Sequence, residues 1–138
     1  HERTTLDCQP RIRGTYRIAP VYIQGSLTEP VDPIQIRELM PTLLYAYENS
    51  DAHPIAKAAA FHAMFENIHP FQDGNGRTGR MLIFRESLKY PDVDPFIILD
   101  KNRNDYIEGL KEFREENKVD KLVVLMKEET REYFNQCK

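Results

Sequence analysis

From Asp32 onward, apolar residues recur every three or four positions, the period of an amphipathic helix. Ile36, Leu39, Met40, Leu43, Leu44 and Tyr47 form one face, entered by Asp32 as a cap with Pro33 at the first helical position. A second helix opens near Pro54 and runs to Ile68. Its apolar face is Ile55, Ala58, Phe61, Phe65 and Ile68, and Ala56, Ala58, Ala59 and Ala60 allow close packing. It stops at His69-Pro70, because a proline disfavours the helical region for the residue before it. A third helix starts near Arg77 and runs towards Tyr90, with Pro91 and Pro95 as a break. A fourth spans Arg103 to Glu116, with Tyr106, Ile107, Leu110 and Phe113 inward. The last starts near Lys118, with Val119, Leu122, Val123, Met126, Thr130, Tyr133, Phe134 and Cys137 on one stripe. The opening is different: Pro10, Pro20, Pro30 and Pro33 argue against helix there. Val21-Tyr22-Ile23-Gln24 reads as a short strand, Gly25-Ser26 as a turn and Leu27-Thr28-Glu29 as a return strand. The pattern predicts a mainly α fold, a compact helical bundle with a helix–loop–helix and one small β-hairpin. It is read as a single domain, with 1–13 an irregular lead-in, 14–30 the hairpin region and 32–137 the helical core.

Composition narrows the class. The chain has 138 residues, of which 41% are hydrophobic, enough for a core of its own. A net charge of −3 with no Lys/Arg block argues against nucleic acid as a partner. No apolar run approaches a membrane span and no signal peptide is visible. Cys8 and Cys137 sit at opposite ends without metal-type spacing, which favours free thiols in a reducing, cytoplasmic compartment; a secreted effector is compatible with the same composition. The chain begins with His1 rather than Met, which reads as a fragment or a processed form.

The chemistry concentrates between the second and third helices, in His69-Pro70-Phe71-Gln72-Asp73-Gly74-Asn75-Gly76-Arg77-Thr78-Gly79-Arg80. Gly74 and Gly76 flank Asn75, so the backbone there can curl its N–H groups inward around an anion. The following helix adds its N-terminal N–H groups and dipole, a combination that binds phosphate. Arg77 and Arg80, three apart, present two guanidinium forks on one helix face. Asp73 would repel phosphate unless a cation lay between them, and Mg²⁺ held by one carboxylate plus substrate phosphates fits. His69, with an ordinary pKa of roughly 6.5, suits a general base near neutrality. Each piece alone has a plainer reading: a turn histidine, a tight Asn-Gly turn, a solvated arginine. No structural turn needs all of them together.

These residues resemble the signature of the Fic domain family, His-x-Phe-x-Asp/Glu-Gly-Asn-Gly-Arg-x-x-Arg, with His69, Phe71, Asp73, Gly74, Asn75, Gly76, Arg77 and Arg80 at its fixed positions. The likeness extends more loosely from about Gly14 to about Phe134. It implies a protein adenylyltransferase that moves AMP from ATP onto a Tyr, Thr or Ser hydroxyl of a target protein, releasing pyrophosphate. His69 would take the hydroxyl proton and Asp73 would hold Mg²⁺. Gly74, Asn75 and Gly76 would cradle the phosphates, with the Asn75 amide a further donor, and Arg77 and Arg80 would grip the β and γ phosphates. The hairpin, with Val21, Tyr22, Ile23, Gln24 and Gly25, matches the place of the family's flap, where an extended target segment pairs with a strand edge. Tyr106 and, more weakly, Asn102 would border the adenine, although a tyrosine in an amphipathic helix is more often core.

The same resemblance sets what to look for next. Many Fic proteins carry an inhibitory helix, Ser/Thr-x-x-x-Glu-Gly/Asn, whose Glu pairs with the second motif arginine, here Arg80. No such string occurs in these residues, so the brake is expected on a removed N-terminal helix or on a separate antitoxin-like chain. Gly76 stands where the Doc-type kinase has a lysine. Transfer of another nucleotide monophosphate or phosphate-containing moiety is an alternative, as is a non-catalytic module that binds nucleotide or phosphopeptide.

Overall fold

The protein is described here by a computed structural model covering residues 13–23, 28–99 and 101–138. Among these residues there are five α-helices: α1 (Ile36–Glu48), α2 (Pro54–Ile68), α3 (Asn75–Ser87), α4 (Arg103–Glu116) and α5 (Asp120–Gln136). No helix among them is long and apolar enough to cross a membrane. The chain divides into two compact units. One holds the described residues through Asn49 together with Met64–Gly79, and the other holds Ser50–Ala63 with Arg80–Lys138.

In the first unit the N-terminal stop signal works as the sequence predicts. The Asp32 carboxylate accepts from the Ile34 N–H at 2.9 Å and caps a 3₁₀ turn, Pro33–Gln35, that leads into α1. Ile36, Met40 and Leu43 are buried at i, i+4 and i+7, while Leu44 and Tyr45 face outward. The apolar face of α1 is therefore narrower than the predicted one, and Leu44 falls outside it. Pro41 lies inside α1 at an exposed position, where it removes one intrahelical donor. The last turn of α2 contributes the buried Phe65 and Ile68.

In the second unit, Ile55, Ala58, Ala59, Phe61 and Ala63 of α2 are buried, as are Ile83 of α3 and Leu122, Leu125 and Met126 of α5. α4 and α5 approach closely at Gly109. A Cβ there would lie 2.8 Å from Leu122 Cδ2 and 3.3 Å from the Leu122 backbone nitrogen, so glycine is what the crossing admits. α4 ends at Asn117, whose left-handed φ of 55° caps the helix as its N–H bonds the Phe113 carbonyl.

Three boundaries or faces differ from expectation. α3 starts at Asn75, not Arg77, because Gly74 serves as its cap. α5 starts at Asp120, two residues after Lys118. Its buried face is Leu122, Leu125, Met126, Glu129 and Thr130, and Tyr133, Phe134 and Cys137 in the last turn are exposed. A stripe drawn by hydrophobicity alone passes over a buried glutamate. No strand occurs among the described residues; Val21–Ile23 and Thr28–Glu29 are irregular, and the rest of the expected hairpin, Gln24 to Leu27 with Gly25, lies outside them.

Candidate active site

The site is built on the turn from α2 to α3. α2 ends at Ile68 and His69 follows with φ of 49°, in the left-handed region. Its N–H bonds the Phe65 carbonyl at 2.9 Å, the closing bond of a left-handed helix cap. That conformation is usual for glycine and costs another residue about 1–2 kcal/mol, and Pro70 pushes the residue before it towards extended backbone. Something must hold His69 there.

Arg17 does so. It is 4% exposed although it carries a charge. Its Nε donates to the His69 carbonyl at 2.6 Å, and its other nitrogens donate to the carbonyls of Ile68 (3.1 Å), Val31 (2.5 Å) and Ala19 (3.1 Å). The Arg17 backbone N–H bonds the Pro70 carbonyl at 2.9 Å. A buried cation needs its donors satisfied, and five planar N–H groups suit a ring of carbonyls. Phe71 follows, half-buried, with Tyr16 at 5.8 Å and Phe65 at 6.3 Å between ring centroids.

The imidazole is tuned towards its neutral form. Burial is the main cause lowering the His69 pKa below 6.5, and the Arg17 charge adds to it. The Glu66 carbonyl and the Asp73 carboxylate pull the other way. Nδ1 is buried, with Glu66 Oε2 3.8 Å from it. An imidazole that is neutral at physiological pH is the form able to accept a proton.

After His69 the chain makes its second left-handed step at Gly74, φ 76°. Asn75 locks the bend: its buried side chain accepts from the Phe71 N–H and donates to the Phe71 carbonyl, both at 2.8 Å. One of the two N–H groups of the Asn75 amide is thereby committed to the loop's own backbone. The Gly74 carbonyl takes the Thr78 N–H at 3.0 Å, so α3 begins with Asn75, Gly76 and Arg77 in its first turn. The first N–H groups of a helix have no intrahelical acceptor, which directs Asn75 and Gly76 backbone donors to whatever sits at that end. Arg77 is exposed and its guanidinium lies 3.8 Å from Asp73 Oδ2. Arg80 comes three residues later in the same helix.

Asp73 is the only carboxylate of the motif. Its Oδ1 accepts the Gly74 N–H at 2.8 Å and its side chain is 61% exposed. No cluster of three metal-type side chains exists among the described residues. One exposed hard oxygen donor is still what Mg²⁺ uses when substrate phosphates and water complete its shell. The exposed Asp73 carboxylate fits such an ion and would be its protein ligand.

The Fic/DOC family model matches residues 1–85, more than half of the chain. This chain belongs to the Fic/DOC family. It is 34% identical over 114 residues to a protein adenylyltransferase Fic of Drosophila yakuba, an overlap of 80% of this chain and 22% of that protein. It is 33% identical over 101 residues to a probable protein adenylyltransferase of Aquifex aeolicus (strain VF5), covering 72% of this chain and 31% of the relative. A crystal structure of a Fic family protein from Desulfovibrio desulfuricans G20 superposes with a TM-score of 0.74 at 25% identity, over 90% of this chain and 42% of that one. The chain thus spans less than half the length of each.

Within this Fic/DOC chain, the two adenine candidates have other engagements. The Tyr106 hydroxyl lies 2.7 Å from Nε2 of the fully buried His62, and their rings are 5.7 Å apart. Asn102 precedes α4 without capping it and donates to Glu129 Oε1 at 3.3 Å. Arg17 and Glu66 are the neighbours of His69 that sequence reasoning missed. Glu66 precedes the motif by three residues, one helical turn from His69, and that spacing was available. Arg17 carried no signal, because an arginine in a proline-rich opening looks like surface.

Proposed function

We propose that this chain is the transfer domain of a protein adenylyltransferase, moving AMP from ATP to a Tyr, Thr or Ser hydroxyl. The observation that carries the reading is the turn held by Arg17 and Asn75, which sets His69 six residues ahead of a helix that begins with Asn75-Gly76-Arg77. His69 accepts the proton of the attacking hydroxyl. The hydroxyl oxygen bonds the α-phosphorus, the bond from that phosphorus to the bridging oxygen of the β-phosphate breaks, and pyrophosphate leaves. Backbone N–H groups of Asn75 and Gly76 and the forks of Arg77 and Arg80 hold the phosphate oxygens, so the work is positioning and charge stabilisation. Mg²⁺, held by Asp73, would neutralise polyphosphate charge. Val21 to Gly25 would lay the target segment alongside, as the family's flap does. The adenylyltransferase names of the Drosophila and Aquifex relatives support the choice of AMP.

The test is transfer of label from ATP to protein. Label at the α-phosphate should appear on a target or on the chain itself, and label at the γ-phosphate should not. His69→Ala should lower the rate by about 10²–10⁴-fold, the usual contribution of a general base, while ATP binding persists. Transfer of γ-label, or full activity in His69→Ala, overturns the reading.

A further inference from the structure

Arg17 lies 52 residues from His69 in sequence, yet it bonds the carbonyls of Ile68 and His69 with its side chain and that of Pro70 with its backbone. These three carbonyls run through the one place, among the described residues, where the backbone turns left-handed ahead of a proline. The remaining donors reach Ala19 and Val31, so the guanidinium also ties the segment before α1 to the same turn. All of these residues belong to one compact unit. Nothing smaller than a planar fork satisfies so many carbonyls at once, and lysine has three donors on a point charge.

We propose that Arg17 is a positioning residue for His69: its guanidinium fixes the Ile68-His69-Pro70 backbone and thereby aims the imidazole. Its kinetic consequence rests on the transfer reading above; its structural consequence does not. The charge acts too. Glu66 and Asp73 face His69 with negative groups, and Arg17 opposes both from the carbonyl side, which helps keep the imidazole neutral.

Arg17→Lys and Arg17→Met test this in the full chain, with helix content by circular dichroism as the check on folding. In either folded variant the scalar coupling and Cα shift of His69 should lose their left-handed signature. The kcat for transfer should fall about 10²-fold with KM for ATP within about twofold, as displacement of a reacting group by about 1 Å does. Arg17→Met should also raise the His69 pKa read by ring NMR, whereas a merely structural residue would leave that titration where it was. A folded variant that keeps the His69 backbone signature, or keeps kcat within about twofold, overturns the assignment. Should neither variant fold, the guanidinium of the unaltered chain decides. A slowly exchanging Arg17 Nε–H coupled to the His69 carbonyl carbon supports the proposal, and a freely exchanging one defeats it. If the unaltered chain transfers nothing, the transfer reading fails, while the backbone and titration measurements still judge Arg17.

Discussion

Two stretches of this protein, residues 68–70 and residues 95–99, solve the same problem with opposite charges. Neither has a ladder of backbone hydrogen bonds, and buried backbone groups must find partners. At 68–70 the groups needing partners are carbonyls, and a buried cation, Arg17, donates to them. At 95–99, and at Asn102 beyond, the partners come from α5. Thr130 Oγ1 donates to the Pro95 carbonyl at 3.1 Å and accepts from the Ile97 N–H at 3.2 Å, and the buried Glu129 accepts from the Leu99 N–H and from Asn102. The difference is that arginine stays charged at every accessible pH and glutamate does not. The His69 turn is anchored by a group that does not titrate, whereas the second stretch hangs on one that does.

The largest effect expected from breaking the comparison is at Asn75. Asn75→Ala removes both bonds to Phe71 and should lower stability by about 1–3 kcal/mol, taking about 0.5–1.5 kcal/mol for each, with transfer falling more steeply than global stability accounts for. Asn75→Asp sharpens it, since the carboxylate can accept from the Phe71 N–H but cannot donate to its carbonyl. Denaturant melts alongside transfer rates check both, and equal, unchanged activity would show that the loop does not depend on this staple.

Gly109 comes next. Gly109→Ala forces a methyl against Leu122 Cδ2 and should cost about 1–3 kcal/mol by overpacking. A lower Tm with the His69 backbone signature unchanged would mark that damage as confined to the α4–α5 crossing; an unchanged Tm would mean the crossing can relax.

The smallest effect is a pH dependence. Burial raises the Glu129 carboxyl above its ordinary 4.5, so the folded chain binds this proton at higher pH than the unfolded chain does. That contribution is complete below 4.5 and is lost as pH rises through the folded value. His69 has the reverse sign: its pKa is lowered, so its contribution is complete above 6.5 and is lost as pH falls through the folded value. The stability difference between the unaltered chain and Glu129→Gln should therefore shrink as pH rises from 4.5 towards neutrality. Unfolding free energies at several pH values check it, and a flat difference would remove Glu129 from the list of titrating anchors.

Helix positions were legible because period and punctuation agreed. Asp32-Pro33 opened α1, His69-Pro70 closed α2, and the α4 limits at Arg103 and Glu116 match those read from the sequence. Family membership was legible from the motif for the same reason, since its residue types have few other reasons to stand together. What stayed hidden were side chains whose partners are backbone atoms far along the chain. Arg17 and Glu129 are charged, and a hydrophobicity pattern assigns both to water; both are buried because carbonyls or N–H groups meet them. The tie from Asn75 to Phe71 was hidden too, since it is set by the loop's bend rather than by its composition.

The Arg17 to His69 link has a consequence for how the protein comes into being. Residue 17 leaves the ribosome well before residue 69, so its guanidinium must wait, solvated, until α2 has been made and its last turn has closed. Contacts that join distant parts of a chain are slow to form because loop entropy is lost before they are rewarded. The His69 turn is therefore set among the late events of maturation. A half-folded chain would carry every residue of the motif and still be inert, which makes onset of labelling a clock for completion of the fold.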